Sequence, residues 1–251
     1  VPQPAAELLA RCYTTRAQVR IDKKDRTEED LAMAIQDLET AVKHDNSLAD
    51  GHRGKIVRAL IDLGEMKIAL HVKNPDMVVI NSAISQLLRV LDVDPDATEL
   101  IRSPLTRAYH LRGQLFHAKG DFPNAINDYQ EAIKTDPGIQ VVVSPDLALA
   151  FLGQGKMSLQ RGELDKAITE LRTALDWDVT IREIVKGPLA VCLARKAYQE
   201  LEKGRAKEAI ASLELAAREH AAFVENLALA NILKAQPLVT LKEIVLEDFG
   251  T

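Results

Sequence analysis

The chain has 251 residues, of which 47% are hydrophobic and only 4% aromatic, so its core must be built mainly from Ala, Leu, Ile and Val. A formal net charge of −5 argues against nucleic acid or an anionic membrane as the main partner, because both are bound through basic surfaces. The sequence has no apolar run of the roughly 18 residues that a membrane span requires, so no direct membrane span is predicted.

The first residue is Val, which fits a cleaved export signal, a tag remnant or a fragment of a longer protein. The location is therefore left open between the cytoplasm and an exported, periplasmic compartment. The two cysteines, Cys12 and Cys192, are far apart in the sequence. We expect both to be reduced and buried as small hydrophobic residues.

Apolar residues at mostly helical spacing predict a first helix over residues 4–22. A charged turn follows, and Thr27 is placed to cap a second helix whose first turn carries three acids at positions 28–30. Acids are favoured there because the helix N-terminus carries a partial positive charge. Metal binding by these acids is the alternative, and capping is the preferred interpretation.

The next pair of helices is irregular. His52-Arg53-Gly54 resembles Leu111-Arg112-Gly113, which would make Gly54 the small residue of its first helix. The interval from Gly54 to Ala83 is then 29, against 12 from Gly113 to Ala125, so seventeen residues are added. The segment 74–76, Asn-Pro-Asp, breaks the helix and predicts an overlong hairpin. Its tip is a candidate contact point, or a lengthened helix without a function.

The segment from about 106 to 139 has the clearest pattern. Ala125, Tyr129 and Ala132 share one helix face, with two small residues flanking one ring. Gly113 would form a matching notch on the preceding helix, and Gly120-Asp121 would form the turn between the two. The pattern predicts a helical hairpin.

This hairpin resembles a tetratricopeptide repeat, whose signature is a Trp-x2-Leu-Gly-x2-Tyr run followed by Ala-x3-Phe and then Pro. Arg112 stands where Leu is commonest in the family. The residues that fill the signature places are Tyr109, Gly113, Phe116, Ala125, Tyr129, Ala132 and Pro137.

The pattern also recurs along the chain. The dipeptide Ala-Ile begins at positions 34, 83, 125, 167 and 209, so the successive intervals are 49, 42, 42 and 42. The resemblance implies an all-α, right-handed solenoid of about five helical hairpins with a C-terminal capping helix. The repeats are placed at about 4–46, 47–96, 104–138, 145–179 and 188–221, followed by a capping helix over 222–235 and an apolar tail over 236–251. The tail could pack back on the array, begin a further repeat or dock into another copy.

An interval of 42 exceeds the family's usual period of 34 by eight. We expect the extra residues to form a short apolar run after each second helix. The run ends in Ser-Pro or Gly-Pro, and Pro104, Pro145 and Pro188 would then take the first position of the next helix.

Catalytic motifs are absent from the sequence: it has no Gly-x-Ser-x-Gly, no phosphate-binding loop, no His-Glu-x-x-His and no Cys-x-x-Cys. The acidic segment 92–96 lacks the Gly and Glu that a calcium loop needs at its sixth and twelfth places. We therefore predict a protein that is not an enzyme, with no cofactor, no metal and no catalytic residue.

The resemblance implies that the first helices line a concave groove, which binds an extended peptide or a partner's helix. The family's groove places, counted from Gly54, Gly113, Gly155 and Ala197, make the middle of the array basic and the later wall apolar. The candidate groove residues are Lys55, Arg58, Arg107, His110, Gln114, His117, Leu152, Lys156, Leu159 and Tyr198.

We expect the groove to accept an acidic segment or a C-terminal carboxylate. The alternative is a scatter of solvated charges. The predicted function is a non-enzymatic protein-protein interaction scaffold that helps assemble or tether a multiprotein complex. One alternative is a self-assembling structural protein, a homo-oligomer joined through the long hairpin or the tail. The other is the regulatory part of a larger enzyme.

Overall fold

The structure is a computed structural model that describes residues 3–219. This range contains ten α-helices, four one-turn 3₁₀ helices and no β-strand, which confirms the all-α class. The predicted capping helix at 222–235 and the tail at 236–251 lie outside the described residues. The α-helices are α1 (Gln3–Ile21), α2 (Glu28–His44), α3 (Ala49–Lys73), α4 (Met77–Val93), α5 (Thr98–Ala118), α6 (Phe122–Thr135), α7 (Gln140–Gln160), α8 (Leu164–Trp177), α9 (Arg182–Glu202) and α10 (Ala206–Glu219).

The helices belong to two compact units. Among the described residues, the first unit comprises 3–119 and 127–143, and the second comprises 120–126 and 144–219. Within the first unit α1 packs on α2, α2 on α3, α3 on α4 and α4 on α5, and α3 also packs on α5. Within the second unit α8 packs on α9 and α9 on α10. Contacts between sequence neighbours are what a repeat array predicts.

The core of each hairpin follows the alanine pattern of the sequence. In α6 the side chains of Ala125, Tyr129 and Ala132 have no exposed surface, as predicted for the shared helix face. The equivalent residues of the other four second helices are also buried: Ala34, Leu38 and Ala41; Ala83, Leu87 and Val90; Ala167, Leu171 and Ala174; Ala209, Leu213 and Ala216.

A notch on the first helix receives the bulky residue of the second. A Cβ atom added at Gly113 would lie 2.6 Å from Cε1 of Tyr129, and one added at Gly155 would lie 2.8 Å from Cγ of Leu171. No other side chain could occupy these two positions without moving its neighbour. The notch predicted at Gly113 is confirmed.

The notch of the second hairpin is Gly64, so the alignment through Gly54 was wrong. A Cβ atom added at Gly64 would lie 2.8 Å from Cγ of Leu87, whereas one added at Gly54 would meet nothing within 4 Å. The interval from Gly64 to Ala83 is 19, so the hairpin contains seven added residues rather than seventeen. The break at 74–76 and the overlong hairpin are confirmed, since α3 has 25 residues and ends at Lys73.

The capping of α2 is also confirmed. The Thr27 hydroxyl accepts the N–H of Asp30, and the Asp30 carboxylate accepts the N–H of Thr27 at 2.8 Å. Lys23 donates to the same carboxylate at 2.7 Å, and chiefly this bond, together with the Thr27 N–H, lowers the pKa of Asp30 to about 2. The stabilising effect of the charged carboxylate is therefore present at neutral pH and is lost as the pH falls from 3.8 towards 2.

Each of the first four hairpins ends in a one-turn 3₁₀ helix that an aspartate caps. Asp45, Asp94, Asp136 and Asp178 each accept the backbone N–H of the residue two positions later. The predicted helix exit at 92–96 is thus confirmed. The last three of these 3₁₀ helices begin at 95, 137 and 179, at the same interval as the helices that follow them.

The prolines do not begin helices, contrary to the sequence-based expectation. Pro104, Pro145 and Pro188 lie inside α5, α7 and α9, which begin five or six residues earlier. Proline lacks the N–H that would bond the carbonyl four residues before it. Those preceding residues are Leu100, Val141 and Ile184, and all three are exposed, so water can reach the carbonyls that proline leaves without a bond.

The two glycines of α3 give a matched test of the notch. We expect Gly64→Ala to destabilise the protein by about 1–3 kcal/mol, because its Cβ would force Leu87 to move. Gly54→Ala should leave stability unchanged or raise it by up to about 1 kcal/mol, because alanine favours the helix. Urea unfolding followed by circular dichroism measures both. Equal effects of the two substitutions would contradict the placement of the notch at Gly64.

Candidate functional site

The ten predicted groove residues divide between the two units. Six lie in the first unit, on α3 and α5, and four lie in the second, on α7 and α9. The first-unit residues are Lys55, Arg58, Arg107, His110, Gln114 and His117. The second-unit residues are Leu152, Lys156, Leu159 and Tyr198.

The corrected notch changes the groove positions on α3. Arg58 moves to a different groove place: counted from Gly54 it matched His117, whereas it lies six residues before Gly64, as Arg107 lies six before Gly113. Lys55 no longer occupies a family groove place, and its Nζ donates to Oε1 of Gln18 on α1 at 2.8 Å. Arg58, Arg107 and Lys55 are all exposed.

On α5 the three polar groove residues are not simply solvated. The ring of His110 lies edge-on to Tyr129, with the ring centroids 5.8 Å apart. Nε2 of Gln114 lies 3.3 Å from Nε2 of His110. His117, two turns further along the helix, is half-buried. The structure therefore brings His110 and Gln114 together next to the notch.

In the second unit the expected apolar wall is largely part of the core. Leu152 is only 4% exposed and belongs to the same buried cluster as Leu171. Leu159 packs against that cluster and is half-buried. Leu152 therefore offers almost no surface to a partner, because the cluster around it encloses its side chain. Lys156 is exposed, as expected.

Tyr198 is half-buried, and its hydroxyl is engaged within its own helix. A hydrogen bond with Glu202, four residues later, raises the pKa of Tyr198. This phenol has no depressed pKa that would suit it to act as a base.

A buried ion pair in the first unit links the two helices of the third hairpin. Asp128 is 1% exposed, and it accepts two hydrogen bonds from Arg112, at 2.7 Å from Nε and 2.6 Å from Nη2. Nη1 of Arg112 also donates to Oδ1 of Asn81 at 2.9 Å. The bond to Asp128 raises the pKa of Arg112. The aspartate is thus a buried charge whose partner sits directly before the notch.

Equivalent contacts occur in two other hairpins. Buried Asp37, directly before Leu38, accepts hydrogen bonds from Arg16 at 2.9 and 2.5 Å and also pairs with Arg20. Glu170, directly before Leu171, accepts bonds from Gln154 and Ser158, each at 2.6 Å. We call these three contacts the polar clasps.

The polar clasps identify the notch of the first hairpin. Arg16 precedes Ala17 as Arg112 precedes Gly113, and Ala17 is fully buried. Ala197, also fully buried, fills this place in α9. The clasps are not predicted from the sequence above, where Arg112 stands only as a departure from the family's leucine. The signal was an acid directly before the bulky residue, paired with a polar residue directly before the small one.

Arginines of the first unit fall into two groups. Seven of the ten pair with an acid: Arg16, Arg20, Arg26, Arg53, Arg89, Arg102 and Arg112. The remaining three, Arg11, Arg58 and Arg107, are exposed and make no ion pair within residues 3–219. Each of these three lies six residues before a notch residue, and we call them the arginine row.

The cysteines and the possible metal ligands were located among residues 3–219 as follows. Cys192 is buried, and burial raises its thiol pKa to about 11. Cys12 is exposed, so the expectation that both cysteines are buried was wrong for Cys12; both are free thiols. The described residues contain no group of three His, Cys, Asp or Glu side chains arranged to hold a metal ion. Nor does any helix in this range have the length and hydropathy needed to cross a membrane.

Comparison with known proteins finds one matching family model. Residues 110–178 match the family model for the tetratricopeptide repeat. Similar solved structures include MamA, with 20% identity over 80% of this chain and 95% of that one and a TM-score of 0.27. BtubC (BKLC) from P. vanneervenii has 14% identity over 87% and 92% of the two chains and a TM-score of 0.29. The TPR domain of P58(IPK) has 16% identity over 93% and 78% and a TM-score of 0.30. No curated protein matches the chain.

The polar clasp of the third hairpin should contribute measurably to stability. Asp128→Asn removes the charge that Arg112 faces, and we expect a loss of roughly 3 kcal/mol, as for other broken buried ion pairs. Glu99→Gln is the control, because it breaks the exposed pair with Arg102 and should cost less than about 0.5 kcal/mol. Urea unfolding measures both, and a loss below about 1 kcal/mol for Asp128→Asn would contradict a stabilising role.

The two thiols should differ sharply in reactivity. At pH 8 the native protein should react with one equivalent of a thiol-specific disulfide reagent, at Cys12, while Cys192 reacts only after unfolding. The Cys12→Ser variant should show no fast reaction. Rapid labelling of that variant would contradict the burial of Cys192.

Proposed function

Residues 110–178 match the family model of the tetratricopeptide repeat, and from this premise we propose that the chain is a non-enzymatic scaffold whose first helices bind a segment of another protein. Repeats of this family serve as protein-interaction modules. Their function depends on exposed helix faces rather than on a catalytic centre, so no cofactor is needed.

The observation that carries the proposal is the side-by-side arrangement of first helices in the first unit. Oγ1 of Thr14 on α1 lies 2.8 Å from Nε2 of His52 on α3, and Lys55 bonds Gln18 between the same two helices. Helix α3 also packs directly on α5. Three first helices thus form one continuous layer.

The layer keeps one face in solvent. On each helix the notch residue is buried, while the residues one position after the notch of α3 and α5, Glu65 and Gln114, are exposed. A second protein could therefore lie across α1, α3 and α5 without displacing the core. Binding of this kind needs no conformational change in the helices.

The partner that fits this face best is an acidic segment of a protein, held in place so that a multiprotein complex is assembled or tethered. Arg58 and Arg107, from the predicted groove, lie on this face and pair with no acid in the described part of the chain. The overall charge of −5 disfavours nucleic acid as the ligand, since non-specific binding to phosphates needs a basic surface.

Site-specific photo-cross-linking tests the proposed surface. A photoreactive amino acid at position 65, on the exposed face of α3, should cross-link one defined partner polypeptide in an extract of the native cell. The same residue at position 85, an exposed site on α4 of the same hairpin, is the matched control and should not. The cross-linked segment, mapped by mass spectrometry and synthesised, should bind the purified chain. Equal cross-linking from both positions would contradict a partner surface on the first helices.

A further inference from the structure

We propose that the arginine row, Arg11, Arg58 and Arg107, binds an extended acidic segment that crosses α1, α3 and α5 and places one carboxylate on each guanidinium. This inference rests on the proposed function. It specifies which cations hold the partner, and it favours an internal acidic segment over a C-terminal carboxylate.

Within the first unit, the arginines outside the row pair with acids. Seven of the ten arginines in the first unit lie within 4.0 Å of a carboxylate of the chain itself, including the exposed pairs Arg53–Asp50 and Arg102–Glu99. Helical neighbours three residues away supply these exposed pairs. Arg11, Arg58 and Arg107 are the three that remain, and they occupy one equivalent position on three successive first helices.

The three arginine side chains of the row also point in the same direction. The residue directly before each of the three arginines is buried: Ala10, Val57 and Thr106. Successive residues on a helix point about 100° apart, so burial of one side orients the next residue in the same way on every helix. The three side chains therefore leave the layer on the same face.

The neighbours on this face are compatible with a peptide backbone. Three residues after each arginine come Thr14, Ile61 and His110, and seven residues after it come Gln18, Glu65 and Gln114. The hydroxyl of Thr14 and the amides of Gln18 and Gln114 already bond within the chain, and each has further hydrogen-bonding capacity for a peptide backbone. Glu65 is the one acid among these six residues, and it disfavours a carboxylate placed directly beside it.

The spacing of the row sets the spacing of the acids. Thr14 lies opposite His52, Arg11 lies three residues before Thr14, and Arg58 lies six residues after His52. With a rise of about 1.5 Å per residue and roughly 9 Å between helix axes, the Cα atoms of Arg11 and Arg58 are roughly 16 Å apart. An extended chain covers this distance in about four to six residues, and an even spacing keeps the acids on one side because successive side chains of an extended chain point to opposite sides. A single terminal carboxylate could engage only one of the three arginines.

Peptide binding to the full chain tests the arginine row. The probe is a fluorescent Gly/Ser peptide of about 15 residues with Glu at positions 4, 8 and 12, all on one side of an extended chain, and both ends blocked. We expect Arg58→Gln/Arg107→Gln to weaken binding about tenfold, at roughly threefold per exposed charge pair, and added Arg11→Gln to weaken it further. Binding should also weaken as salt rises from about 50 to about 300 mM, because exposed charge pairs are screened.

The matched control is Arg53→Gln/Arg102→Gln, which removes the same charge from the same two helices but from paired residues. It should change the dissociation constant less than twofold. The proposal would be overturned if both double variants lost binding equally or if neither lost any. It would also be overturned if a peptide with its three Glu adjacent bound equally tightly, or if a single-stranded oligonucleotide bound more tightly than the peptide. A partner cross-linked at position 65 and retained by Arg58→Gln/Arg107→Gln would overturn the row while leaving the scaffold function intact.

Discussion

The insertion of a bulky residue of the second helix into a notch on the first is the contact on which the structure depends. At Gly113 the ring of Tyr129 occupies the space that any side chain would fill, and at Gly64 and Gly155 a leucine does the same. Such close contact fixes the rotation of the first helix about its axis. That rotation decides which residues enter the core and which, like Arg58 and Arg107, face solvent.

The polar clasps add a constraint of a different kind. Burying a carboxylate such as Asp128 is favourable only if its hydrogen bonds are complete, as they are with Arg112. In the second hairpin the corresponding first-helix residue, Leu63, is buried and apolar, so a hairpin can close without a clasp. The clasps therefore favour one register over its neighbours, because a shift along the helix would leave the acid without a partner.

Much of the fold could be predicted from the spacing of Ala-Ile, because burial of one face of a helix leaves a periodic mark on the sequence. The register of the second hairpin could not be predicted in this way. The tripeptide His52-Arg53-Gly54 resembles Leu111-Arg112-Gly113 of the third hairpin, whereas the notch is Gly64, directly after Leu63. That Leu63-Gly64 matches the family's Leu-Gly was the better signal. At the site, Arg107 follows from the repeat. Arg58 was named through the wrong register, and its equivalence to Arg107 required the notch at Gly64. Arg11 required the buried ion pair of Arg16 with Asp37. The burial of Leu152 depended on the packing of neighbouring helices, which the sequence does not encode locally.

The aspartate-capped 3₁₀ helices have a consequence for how such a chain changes in length. The 3₁₀ helices from position 95 onward recur at a constant interval, and so do the first helices and second helices that follow them. A unit of one 3₁₀ helix, one first helix and one second helix could be duplicated or lost as a whole. The joined ends would then be equivalent positions, so the order and spacing of the remaining helices would be unchanged. A gene for this protein could therefore gain or lose modules without the refolded product needing any new junction.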